Sequence, residues 1–126
     1  MKKREASIHQ LVCDFLRYQY PDVIFRTDFA AGIKMTVGQA TKHKRMQGGR
    51  AYPDLFIAQP RHEYHGLFLE LKREGASPYL KDGELSINKH IREQAETLDR
   101  LEALGYRARF AVGFEQATEI IKRYLA

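Results

Sequence analysis

Pro53-Asp54-Leu55-Phe56-Ile57-Ala58 and Gly66-Leu67-Phe68-Leu69-Glu70-Leu71-Lys72 are two apolar runs set on either side of a polar stretch, Gln59 to His65, that carries Pro60. That pattern reads as a β-hairpin. With the turn centred near His62 and no bulge, Asp54 lies opposite Glu70, sixteen residues on, with Cβ atoms roughly 4.5–5.5 Å apart. Two carboxylates that close repel unless a cation compensates or one of them takes up a proton. Side chains alternate along a strand, so Lys72 shares a face with Glu70. Two carboxylates and a lysine brought together in this way suit the binding of a divalent cation and the positioning of a water against a phosphodiester. The residues alone leave a second reading open, in which Asp54 caps a strand while Glu70 and Lys72 form a surface ion pair.

The 126 residues suit one domain with a single core. No apolar run approaches the roughly 20 residues needed to span a bilayer, and Met-Lys-Lys-Arg-Glu leads into an amphipathic helix with no secretory signal, so a cytoplasmic protein is expected. The single cysteine, Cys13, has no partner in the chain for a disulfide and reads as a small helix residue. Net charge is +5, and its location says more than its size. Between Phe29 and Pro53 there is no acidic residue, whereas Lys34, Lys42, Lys44, Arg45 and Arg50 lie there with His43 among them. Those five equal the whole excess. A patch of one sign just before the carboxylate pair suggests a polyanion approaching the site, with Lys42, His43, Lys44, Arg45 and Arg50 as its nucleic-acid contacts. Taken alone, it reads equally well as a solvated face kept for solubility. Gly48-Gly49 next to Arg50 allows close backbone approach to a phosphate.

Residues Glu5 to Gln19 have helical periodicity, with Ile8, Leu11, Val12, Phe15 and Leu16 as the apolar stripe. At about 100° per residue Glu5 falls within that stripe, where it serves either a site or the helix dipole. Val23 to Phe29 reads as a strand, Gly38 to Met46 as a short helix, and Glu74 to Ile87 as a loop or insertion outside the core. Asn88 to Leu104 resumes helical spacing through Ile91, Ala95, Leu98, Leu101 and Leu104 and is stopped by Gly105. Gln94 falls on its inward stripe, where an amide needs hydrogen-bond partners. Those could be the backbone, or a site holding carboxylates, water and phosphate. Arg107 to Val112 is a last strand, and Phe114 to Leu125 a closing helix that buries Phe114, Ala117, Ile121 and Tyr124. His62 and His65, with Glu63 in a turn, read as exposed loop residues. The order implies an α/β sandwich, its mixed sheet containing an antiparallel hairpin and a last strand reached through a crossover helix.

With that order, and with Pro53-Asp54, Glu70-Leu71-Lys72 and Gln94 in place, the chain resembles the PD-(D/E)xK nucleases. It resembles in particular the stand-alone, phage-type VRR-NUC domain, a module also found at the end of the Fanconi-associated nuclease. The resembling stretch runs from about Lys44 to Leu125 and includes Gly49 to Phe56, Tyr64 to Arg73, and Gln94 with Leu101, Gly105 and Tyr106. The combination is specific, whereas its fragments separately are not. The resemblance implies a restriction-endonuclease-like α/β fold and a phosphodiesterase acting on DNA with Mg²⁺ or Mn²⁺. It implies Asp54, Glu70 and the Leu71 carbonyl as metal ligands, with Lys72 orienting the attacking water or stabilising developing charge. Gln94 matches the family's helical glutamine, and Glu5 its helix-1 acid, a catalytic and metal-ligand position. Small stand-alone members are associated with homodimers that cut branched DNA such as four-way (Holliday) junctions. Ser77 to Asn88 lengthens the connection beyond the shortest family pattern. Two other readings are a non-catalytic nucleic-acid-binding module, whose acids and lysine form a structural ion-pair network, and a sequence-specific restriction-type endonuclease.

Overall fold

The computed structural model describes residues 5–28, 34–49 and 51–126, with the side chains of residues 5–7 also outside the description. Four strands and four helices follow in the order α1 (Glu5–Gln19), β1 (Phe25–Thr27), α2 (Val37–Arg45), β2 (Leu55–Ile57), β3 (Leu67–Lys72), α3 (Lys89–Ala103), β4 (Arg107–Val112) and α4 (Gly113–Leu125). The strands form one mixed sheet in the order β1-β2-β3-β4, antiparallel except for the parallel β3–β4 pair that α3 connects. This is the expected α/β sandwich.

Each face of the sheet has its own apolar layer. Leu55, Ile57, Leu67, Leu69, Leu71 and Ala111 pack against Ile8, Val12 and Leu16 of α1 and Ala117, Ile121 and Tyr124 of α4. Fully burying a side chain of this kind stabilises by about 1.5–3 kcal/mol relative to leaving it exposed. On the other face Phe68, Ala108 and Phe110 pack under Leu98 of α3. The alternation that sends Leu67, Leu69 and Leu71 to the first layer sends Phe68, Glu70 and Lys72 to the second.

The hairpin register is that expected from the sequence. Leu55 pairs with Leu69, Phe56 with Phe68 and Ile57 with Leu67. His62 and Glu63 both have positive φ, 52° and 74°, and Arg61 and Tyr64 exchange backbone hydrogen bonds of 3.1 and 2.7 Å across them. Two such residues in succession form the turn whose twist matches a hairpin. The His62 ring is exposed and meets the carbonyl of Arg123 at 3.2 Å. At the far end of the turn Gly66 is required by packing: a Cβ there would lie 2.8 Å from the Phe56 ring and 2.9 Å from the Ile57 carbonyl oxygen. Gly113, with φ of 84°, lets β4 pass into α4 without a loop.

Three expectations change. The first strand is shorter than Val23–Phe29, running only from Phe25 to Thr27, and Phe29 lies outside the described residues. Leu104 is not part of the buried stripe of α3. It caps that helix at 66% exposure, its amide donating to the Arg100 carbonyl. The Glu74–Ile87 segment is irregular but not wholly external, because Pro78 is buried, Tyr79 and Leu85 form an isolated bridge, and Leu85 packs against the second layer. Cys13 is half-buried in α1, its Sγ 3.8 Å from Thr27 Oγ1, and burial pushes its thiol pKa up.

One edge of the sheet is β4. The Arg107 amide donates to Gly66, so the amides of Ala108, Phe110 and Val112 point away from β3. Glu102 accepts from Ala108 and Gln116 from Val112, the latter at 2.6 Å. Of the three, Phe110 alone has no side-chain cap among the described residues.

Candidate active site

Asp54 stands one residue before β2, in a bend, and this frees its carboxylate from strict strand geometry. Its Oδ2 accepts a 2.8 Å hydrogen bond from the Leu71 amide, which holds it across the end of β3. Glu70, on β3, is buried, and its carboxyl lies against that of Asp54. Two carboxyl groups in contact repel unless they share a proton, one of the two ways of relieving the repulsion that the hairpin register implies. A cation is the other. Burial pushes the Asp54 carboxyl pKa up, but contacts with His9 and Glu70 and the Leu71 amide outweigh that, and the group is held below its ordinary value.

Lys72 follows two residues after Glu70, on the same strand face, and is buried to 8% exposure. The ion pairs among the described residues do not include it. A lysine this buried is rare unless paired. Gln94 projects from α3 toward the same layer, one helical turn, about 6 Å, before Leu98. α3 runs back over β3 and β4, so this step moves from the level of Ala108 and Phe110 toward that of Glu70 and Lys72, which pair with Phe110 and Val112. Its amide nitrogen meets His90 Nε2 at 3.2 Å, while its buried Oε1 has no hydrogen-bond partner among the described residues.

His9 was not among the sequence candidates, although it belongs to the site. It is buried to 8% exposure on α1, with Nε2 3.5 Å from Asp54 Oδ2. A histidine between Ile8 and Val12 on an apolar stripe reads as core, but its place four residues after Glu5, on the same helix face, was a usable signal. Glu5 opens α1, and its side chain lies outside the described residues.

The basic residues gather at the end of α2. Lys42, Lys44 and Arg45 are exposed in its last turn, and His43 is half-buried with Nε2 3.8 Å from Asp28 Oδ1. Cations at a helix C-terminus complement its dipole. Arg50 lies outside the described residues. A Cβ at Gly48 or Gly49 would meet open space, so no packing contact demands glycine at either.

One solved structure, described as a VRR_NUC domain protein, superposes with a TM-score of 0.68 at 24% identity, over 98% of this chain and 88% of that one. The two share a fold. No family model and no curated protein matches the sequence. The correspondence with the VRR_NUC domain protein therefore establishes architecture, a restriction-endonuclease-like mixed sheet between helices, in agreement with the fold class expected from the sequence. Among the described residues no helix is long and apolar enough to cross a membrane.

The donor set fits a hard divalent cation. Among the described residues no three His, Cys, Asp or Glu side chains are grouped to hold an ion by themselves. Mg²⁺ is commonly held by one or two carboxylates, with water and substrate phosphate completing its shell. Two carboxylates in contact and an adjacent backbone carbonyl make such an incomplete cradle, and α3 adds the buried Gln94 amide oxygen, which has no hydrogen-bond partner among the described residues.

Proposed function

We propose that this protein is a nuclease of VRR-NUC type, a metal-dependent endonuclease that hydrolyses phosphodiester bonds in DNA. The observation that carries the reading is the contact of Asp54 with Glu70 beside a buried Lys72 that makes no ion pair among the described residues. A structural ion-pair network would pair that lysine, so the non-catalytic reading is disfavoured. Asp54, Glu70 and the Leu71 carbonyl would hold Mg²⁺ or Mn²⁺, with Glu5 as a further ligand. The cation would supply Lewis-acid polarisation of the scissile phosphate. Lys72 stabilises charge that develops on the phosphate and orients the attacking water. Gln94 donates or accepts hydrogen bonds at the wall of the site, and His9 holds Asp54 in place from the opposite side. Exposed Lys42, Lys44 and Arg45, with His43 and Arg50, guide the phosphate backbone toward the carboxylates.

Branched DNA, four-way junctions in particular, and a homodimeric state complete the proposal. Their support is the likeness of motif and fold to VRR-NUC proteins. The test is a panel of linear, flap and four-way DNA incubated with and without Mg²⁺ and Mn²⁺. Metal-dependent cleavage is expected, strongest on branched forms, and nearly abolished in folded Asp54→Ala, Glu70→Ala and Lys72→Ala proteins. Full activity in Lys72→Ala would sink the assignment.

A further inference from the structure

Among the described residues α3 packs on the second face of the sheet over β4 and Phe68 of β3, with Phe56 of β2 at the margin of that layer. Over β1 and β2 that face carries Arg26 and Phe56, direct cross-strand partners. A cavity of about 430 Å³ opens there, walled by Arg26, Tyr52, Pro53, Asp54 and Phe56, and by Met46 beyond the end of α2. Its aromatic wall is a cluster of packed rings. Phe56 stacks on Phe68 with centroids 4.4 Å apart and planes at 24°, and Tyr106 meets both rings edge-on. Tyr52 meets Phe68 at 5.5 Å and 85°, yet remains 54% exposed. An aromatic ring fixed by its neighbours and left open to solvent is a poor use of apolar surface in a free protein and a good stacking platform for a ligand.

We infer that this cavity receives an unpaired nucleobase of the DNA strand, stacked on Tyr52, beside the phosphate to be cut. The inference rests on the nuclease reading and names a feature of the substrate. Asp54 belongs both to the carboxylate pair and to the cavity wall, so an occupant here neighbours the proposed cleavage site. The volume falls within the roughly 300–1,000 Å³ of small-ligand pockets, enough for a base. Arg26, and the Gln47 side chain on the same wall, offer donors to a base edge or a flanking phosphate. Inside a duplex both faces of a base are covered by its neighbours. A base already unpaired, at a flap, gap, mismatch or opened branch point, presents a face at the least cost of unstacking. The cavity therefore selects DNA with an unpaired nucleotide next to the scissile bond.

The experiment uses the 126-residue protein in EDTA, so that the DNA stays uncut, and duplexes carrying 2-aminopurine either unpaired or paired at one position. Binding should quench the unpaired probe. Tyr52→Ala should abolish the quenching and weaken binding of the unpaired duplex by about 5- to 150-fold, the range for removing one base-stacking platform. Binding of the paired duplex should change far less. Tyr52→Phe should behave as wild type. Tyr52→Leu, which keeps an apolar contact with Phe68, should behave as Tyr52→Ala and guards against a folding defect. Quenching that survives both Tyr52→Ala and Tyr52→Leu, or equal weakening on paired and unpaired DNA, would overturn the inference. Cleavage with Mg²⁺ or Mn²⁺ is scored separately on the same duplexes. Cleavage without quenching removes the base site and leaves the nuclease standing, whereas quenching without cleavage does the reverse.

Discussion

Gln94 is the residue whose local chemistry departs furthest from what stability asks. A buried acceptor without a partner costs roughly 1–3 kcal/mol, and among the described residues Gln94 Oε1 is such an acceptor. Gln94→Met keeps the side chain's length and removes the orphaned oxygen. Its melting temperature in metal-free buffer should rise while cleavage falls; a lower melting temperature would show that the amide has a structural partner after all. The sequence places Gln94 inward because 3.6-residue spacing fixes which face a helical side chain occupies. It does not reveal whether an inward amide is satisfied, since that depends on atoms from β3 and β4. The pairing of His9 with Asp54 was out of reach for the same reason: the two are distant in sequence, and only the packing of α1 across the sheet end brings them to 3.5 Å. That Asp54 meets Glu70 and that Lys72 shares the face of Glu70 was legible because hairpin register and strand alternation are local rules.

α2 and the β2–β3 hairpin each carry an expectation that belongs to the whole element. Charge reversal of Lys42, Lys44 and Arg45 together should weaken DNA binding and reduce the slope of log affinity against log salt by about 0.9 for every phosphate that the helix end no longer neutralises. An unchanged slope over a salt series would reject this helix end as the binding surface. In the hairpin, Gly66→Ala must push Phe56 or the Ile57 carbonyl aside. A destabilisation of about 1–3 kcal/mol, the usual range for overpacking, is expected in urea unfolding, and wild-type stability would show that the strands separate there without cost. The helices α1 and α3 and the strand β4 match their sequence-derived limits closely, because their apolar periodicity runs long enough to be unambiguous. β1 and β2, at three residues each, are bounded by tertiary contacts, and the packing of Pro78 and Leu85 into the fold has no local sequence cue.

At the scale of the whole molecule, the carboxylate pair couples folding to pH. The Asp54 carboxyl is held below its ordinary value, so the folded protein binds this proton more weakly than the unfolded chain, whose aspartates titrate near pH ~3.9. Its contribution to stability is complete above that pH and is lost as the pH falls through the lower folded-state value. Urea unfolding of metal-free protein should therefore show a decline on acidification through this window that Asp54→Asn flattens; parallel curves for the two proteins would refute the coupling. The β4 border of the sheet has a different consequence. A strand with open amides is a template on which a second chain can extend the sheet, and repeated addition ends in fibres. Glu102 and Gln116 plug two of the three outward amides of β4, so the sheet is terminated there by its own side chains. Association between copies on this side must then use helix faces or loops, and a concentrated solution is protected from growth by strand addition at this border.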